Sequence, residues 1–475
     1  MKKLITLFCA LMVLTMLSAN NITITNIKLT GQNTTSQYTM VQFNLSWDNS
    51  WRISLGRNNW DAAWVFVKYR ATVASGGDGL WKHATLDATG YSAPAGSTIA
   101  PAADGTGAFI YRNANGSGTF SLSDLQLQWN YGTNGVADNT VLDVKVFAIE
   151  MVYVPQGAFT LGSGGTEVSA FYKYPTTTNT YPVSSEAAIT IGTIANALYY
   201  PSSLFGGDQA GPIPADFPKG YNAFYCMKYE ISQQGYVDFL NTLTPTQASS
   251  RYSVTSTGYR YGITESNGVF SSTYPYVACS FLNWGDVAAY LDWSGLRPMT
   301  ELEFEKACRG PVVPTADEYA WGNTTITQNT GITNSGLANE TSTNGGNATY
   351  GNNASVQGPM RVGAFATSGS TRVTAGATYF GIMEMSGDLW KRAITAGNTT
   401  GRAFTGTHGD GALTSTGDAD ANTWPVVSTA EGACFRGGYW SGPVIYLQVS
   451  DRSQGARTVD GRYANYGGRG IRTAP

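Results

Sequence analysis

Three short clusters, Trp321-Gly322, Gly387-Asp388-Leu389-Trp390 and Gly437-Gly438-Tyr439-Trp440, set indoles close beside glycines. Such clusters suit a domain poor in long regular elements, in which large aromatic side chains fill the core and glycine allows tight or positive-φ turns between them. Core packing is accordingly the expected role of most of these rings. The chain has 475 residues, too many for one ordinary core, so two domains are expected. Its 29 basic and 32 acidic side chains leave a net charge of −3, which excludes a nucleic-acid binder built on a basic face. Only two histidines occur, His83 and His408, too few for the usual histidine-rich zinc or iron sites.

Residues 1–19 read as a secretory signal peptide. Lys2 and Lys3 form a basic start, Leu4 to Leu17 an apolar stretch, and Leu17-Ser18-Ala19 a small-residue cleavage site. The mature chain is expected to begin near Asn20, to be secreted or held at the cell surface, and to have no membrane span. Without Cys9, the cysteines are Cys226, Cys279, Cys308 and Cys434, which either pair as two disulfides in one of three ways or stay as buried thiols.

Residues 20–147 carry alternating or β-branched runs at 39–45, 63–69 and 141–147, punctuated by Gly, Asn, Ser and Thr, and predict a β-sandwich. The last run continues without a linker into Ala148 to Pro155, so the second domain, 148–475, is expected to abut the first. There, Ser232 is placed to cap a helix bearing Tyr236, Phe239, Leu240 and Leu243. A second helix is expected over Trp284 to Trp293, and Thr300 with Glu303 forms a capping-box pattern for a third. Residues 323–357, rich in Asn, Thr, Ser and Gly, read as a polar surface-loop insertion. The fold class is α+β, with few short helices and strands.

The second domain resembles the formylglycine-generating enzyme, or sulfatase-modifying-factor, family, whose fold is a variant of the C-type lectin fold. The resemblance rests on Met151-Val152-Tyr153-Val154-Pro155 through Phe159, Phe224-Tyr225-Cys226-Met227, and Leu296-Arg297-Pro298-Met299-Thr300-Glu301 through Gly310. It continues in Tyr319-Ala320-Trp321-Gly322, Gly381 to Trp390, Phe435-Arg436-Gly437-Gly438-Tyr439-Trp440 and Gly470-Ile471-Arg472. Catalytic members, the resemblance implies, bind copper through two cysteines shortly after the Gly-Gly strand and use oxygen to make formylglycine. Those positions fall at about Gly442 and Leu447 here, and no cysteine lies between Cys434 and Pro475. Nothing as soft as thiolate replaces them. The family's structural calcium uses an Asn-x-Trp-Glu segment; here it reads Asp388-Leu389-Trp390-Lys391, so that site is expected to be lost or taken by Lys391 itself. Structural calcium elsewhere stays open, with Asp410, Asp418 and Asp420 as loop candidates, and no other cofactor is expected. Glu301, Glu303 and Glu305 fit a helix start better than acid–base chemistry.

With the catalytic thiols gone, the expected function is that of a non-catalytic binding or surface-assembly protein, a pseudoenzyme that presents a ligand surface. The candidate ligand residues are Tyr439, Trp440, Ser441, Val444, Tyr446, Gln448, Asp451, Arg452, Arg457, Tyr463, Asn465 and Tyr466, whose mix of Tyr, Arg and Asn suits an adaptable contact surface. Strand filling by alternate residues of this segment is the competing reading. Expected partners are a protein or carbohydrate ligand at the cell surface, or self-association. A polymerising structural subunit and an oxidoreductase with a displaced site are the alternatives. Retroelement-diversified binding proteins resemble the same family branch and vary the residues after the Gly-Gly strand. The segment from Tyr439 to Gly470 lacks Lys, Glu and Met, as that origin requires, but Trp440, Gln448 and Gln454 would have to be fixed.

Overall fold

The computed structural model describes residues 21–253 and 257–475. The expected signal peptide and Cys9 lie outside the described residues. The first half holds nine strands: β1 Thr23–Asn33, β2 Tyr38–Ile53, β3 Asn59–Ala71, β4 Lys82–His83, β5 Leu86–Ser92, β6 Ser97–Pro101, β7 Ala108–Arg112, β8 Gly116–Trp129 and β9 Leu142–Val154. They belong to one curled eleven-stranded sheet in which Ile471–Thr473, Phe224–Met227, β9, β3, β2, β8 and β5 lie side by side. β1 adds to β2, while β4 and the β7–β6 pair add to β3. β2 and β3 pair only through Arg52–Trp60 and Ile53–Asn59, the corner at which the sheet folds over itself.

The centre of the molecule is β3. Its run Ala62-Ala63-Trp64-Val65-Phe66-Val67 is wholly buried, because the strand has protein on both faces. Ala63, Val65 and Val67 face the sandwich core with Val41, Phe43 and Leu127. Ala62, Trp64 and Phe66 face the second half, where they meet Tyr225, Phe239, Leu291 and Trp293. The Trp64 indole donates to the Ser294 carbonyl at 2.8 Å, and Phe109 stacks on Tyr225 at 3.8 Å.

β9 pairs with β3 continuously from Leu142 to Val152, and its end, Met151–Val154, also pairs with Phe224–Met227. The boundary expected between residues 147 and 148 therefore falls inside one strand, because the ladder to β3 runs across it without interruption.

The three expected helices form. α1 (Gln233–Leu240) is capped by Ser232, which accepts from Gly235 N; Leu243 lies beyond its end. α2 (Pro245–Arg251), capped by Thr244, was not foreseen. α3 (Trp284–Trp293) and α4 (Glu301–Arg309) start with capping boxes at Asn283 and Thr300, and a short α5 spans Thr399–Arg402. Residues 323–357 depart from the surface-loop expectation. Asn329, Glu340, Asn347 and Thr349 are buried, since Glu340 accepts from Arg361 N and pairs with Arg260, while Asn347 accepts from Thr327 N. Among the described residues, no helix is long and apolar enough to cross a membrane.

Candidate functional site

The strand Ala433–Arg436 is fully buried and runs into Gly437 and Gly438, both at positive φ. A side chain at Gly437 would put its Cβ 2.3 Å from the Met385 carbonyl oxygen, so only glycine lets the two segments touch. The contact is locked by Gly387 N donating to Gly437 O at 2.7 Å and Trp440 N donating to Asp388 O at 2.7 Å. Trp390–Ile394 pairs antiparallel with Ala433–Arg436 and parallel with Tyr466–Gly467. This three-stranded sheet brings Trp390, Phe435 and Tyr466 into one aromatic layer, with Phe435 4.5 Å from Tyr466.

Outside that layer, Tyr439 and Tyr446 lie 5.4 and 5.6 Å from the Trp390 ring and 6.4 Å from each other at 27°. Together with Tyr463, Tyr466, Arg457 and Asn465 they line a cleft of about 360 Å³. Sequence reasoning named these six and missed three other lining residues, Trp390, Gln454 and Val459. Trp390 reads in the sequence as a core residue, and its parallel pairing with the distant Tyr466 leaves no local signal that it also lines the cleft.

The other candidate ligand residues are placed differently. Trp440 is buried and donates its indole N–H to Ala464 O at 2.9 Å. Arg452 is fully buried, 2.7 Å from Glu301, and Asp451 accepts from the Ser453 hydroxyl at 2.6 Å inside the protein. Ser441, Val444 and Gln448 do not line the cleft, and Gln448 reaches back to Asp317 O. For Trp440, Asp451 and Arg452 the cause is the same: a polar or aromatic side chain after the Gly-Gly turn faces inward where a buried partner is in reach.

Arg457 is the only charged side chain among the lining residues; its Nη1 donates to Gln454 Oε1 at 2.8 Å. Burial raises the Tyr439 and Tyr466 phenols above their usual range, so both are neutral near pH 7. Behind the wall, the Arg392 guanidinium lies 3.9 Å from the Phe435 ring and 5.0 Å from Tyr466, and burial lowers it to about 10. The cleft thus offers ring faces, two carboxamides and one guanidinium, and no thiol, imidazole or carboxylate lines it.

Glu301, Glu303 and Glu305 sit in the core. Glu301 meets Arg436 and Arg452, Glu303 meets Arg297, and Glu305 meets Arg309 and Arg436. Burial opposes ionisation of Glu301, but the Arg452 and Arg436 guanidinium groups outweigh it and hold the carboxyl below its usual range. The four described cysteines are buried and unpaired, and burial pushes the Cys226 thiol up to about 12. The positions expected of copper ligands do not fit that metal: Leu447 is buried, and a Cβ at Gly442 would stand 2.6 Å from the Tyr439 ring.

The Asp388–Lys391 segment does not fit calcium either. The Lys391 ammonium is buried, 3.0 Å from Glu230 Oε1, and donates to the Gly387 carbonyl, occupying the place of a cation with its own charge. Asp292, Asp410 and Asp420 bring carboxylate oxygens within 4.8 Å of one another, but the Lys68 ammonium, which donates to Gly411 O at 2.6 Å, already acts on Asp292 and Asp410 with its own charge. Asp418 pairs instead with Arg251 at 2.9 Å.

The two histidines, read from sequence as separate loop or surface positions, line one cleft between the halves of the molecule. His83 Nε2 is 2.6 Å from Thr106 O, and His408 Nε2 accepts from Thr473 N at 3.0 Å, so both rings have structural work.

A mostly β chain with few helices, whose strands are strapped by a Gly-Gly turn and paired aromatic layers, is the class this geometry defines. A model of the family described as the sulfatase-modifying factor enzyme 1-like domain matches residues 143–474. The chain belongs to that family, and the match begins within β9. No curated protein matches the chain.

Proposed function

We propose that this protein is exported and acts by binding, holding a ligand in the aromatic cleft beside the Gly-Gly turn without transforming it. The observation that carries the reading is the lining itself: Trp390, Tyr439, Tyr446, Tyr463 and Tyr466 around Arg457 and Asn465, with no thiol, imidazole or carboxylate. Flat ring faces recognise a flat apolar face, and a guanidinium beside carboxamides recognises an oxygen-bearing group on its rim. Pyranose rings and aromatic or proline-bearing peptide loops both present that combination. The basic and apolar start of the sequence supports export.

The test is a glycan and peptide array probed with the mature protein, followed by titration of each hit. A hit whose affinity falls at least about tenfold in Tyr446→Ala, an effect of about 1.4 kcal/mol, supports the reading. Copper-dependent oxygen consumption with a cysteine peptide would overturn it in favour of an oxidoreductase, and filament formation insensitive to Tyr446→Ala would favour a structural subunit.

A further inference from the structure

A second cavity lies away from the aromatic cleft. It has a volume of about 580 Å³ and opens between β1, the outer edge of β9 and the start of α1. β9 is paired on one side with β3 along nearly its whole length, but on the other side Phe224–Met227 covers only Met151 to Val154. Lys228 N donates to Glu150 O at 2.9 Å as the last bond of that ladder. Strand alternation then turns the main-chain N–H and C=O of Val144, Val146 and Ala148 towards the uncovered side. Among the described residues no strand pairs with that edge.

The cavity also carries buried charge. Glu150 and Glu230 line it and are 4% and 3% exposed. Each has one lysine partner, Lys228 at 3.0 Å and Lys391 at 3.0 Å, which leaves Glu150 Oε1 and Glu230 Oε2 without a hydrogen-bond donor. Asp238 adds a third carboxylate, held by the Gln234 amide at 2.8 Å, and no lysine, arginine or histidine lines the space. An open strand edge beside carboxylates that lack donors calls for main chain to pair and a cationic side chain to follow it.

We propose that the β9 edge is a docking site for an extended polypeptide segment bearing a lysine or arginine, which adds as a strand and directs its cation to Glu150 and Glu230. The added strand lies beside β9 along the seam with β1, and main-chain pairing makes the site tolerant of side chains other than the cation.

The probe is a blocked, fluorescent peptide of about seven residues, a common strand length, alternating threonine and valine around a central lysine. Added to the full chain, it is expected to bind saturably, to slow hydrogen exchange at the Val144, Val146 and Ala148 amides, and to lose at least about tenfold in affinity when glutamate replaces its lysine. Methylating its alternate amide nitrogens removes the ladder donors and is expected to abolish binding. Ala148→Pro deletes one outward N–H without a bond to β3 and is expected to do the same. Should that variant fail to fold, the methylated probe still decides. Failure to bind, survival of binding after methylation, or equal affinity for the glutamate peptide overturns the proposal. Protection of the three amides that rises with protein concentration alone would assign the edge to a second copy and overturn it too.

Discussion

Arg452 and Tyr446 stand a few residues apart in a segment that reads as one surface, yet the fold gives them opposite duties. Arg452 lies inside, its guanidinium 2.7 Å from Glu301 and 4.0 Å from the Phe171 ring. Arg452→Ala leaves the buried Glu301 carboxylate with Arg436 as its one ion-pair partner beside the Ala396 amide, so a loss of about 3–5 kcal/mol is expected in urea unfolding. Tyr446→Ala, at the rim of the cleft, is expected to stay within about 1 kcal/mol of the parent while lowering ligand affinity. Arginine and tyrosine carry no mark of direction in sequence, which is why only part of the candidate site was legible. The neutral histidines make a second residue-scale prediction. Burial, then the charges of Arg472 and Arg297, lowers His408 to about 2. An unfolded imidazole takes its proton near 6.5, so below that pH the unfolded chain binds a proton that the folded chain refuses, and His408 costs stability as pH falls. The slope from this group approaches about 1.4 kcal/mol per pH unit below its unfolded value. In His408→Gln, whose amide oxygen can still accept from Thr473 N, the decline from pH 6.5 to 4.5 measured by urea titration is expected to be shallower than in the parent.

At the scale of elements, α1, α3 and α4 were legible because their starts depend on side chains a few residues away. Thr300 accepts from Glu303 N at 3.1 Å, and Glu303 returns the contact to Thr300 N at 2.9 Å. Thr300→Ala is expected to cost about 1–2 kcal/mol, the usual loss of such a cap, read from the unfolding midpoint at constant m-value. The strand runs at 39–45, 63–69 and 141–147 were also legible, but their partners were not. The run in β3 read only as a sandwich strand, and the tertiary structure adds that both its faces are buried, the second against the other half of the chain. Residues 323–357 misled for the converse reason: Glu340 and Asn347 are polar in composition and buried by specific donors. Composition records polarity and not whether a partner waits.

The whole molecule behaves as one body in its packing, because the cluster containing Trp64, Phe66 and Met151 also contains Tyr225, Phe239 and Leu291. Asn59 reaches Phe380 O at 2.7 Å, and Lys228 pairs with Asp61 and Glu150 across the same junction. A single cooperative unfolding transition is therefore expected by calorimetry, and Trp64→Ala, with a loss of about 3–5 kcal/mol, is expected to lower the whole transition without splitting it. Two resolved transitions would show that the halves are independent. A fragment beginning at residue 148 cuts β9 through its ladder with β3 and is expected to be insoluble when expressed alone. The sheet has a further consequence. Phe224–Met227 lies between β9 and Ile471–Thr473, so its second edge is closed by a segment far from it in sequence. Pairing across so long a loop must first overcome its closure entropy, so the second half is expected to complete its sheet late in folding.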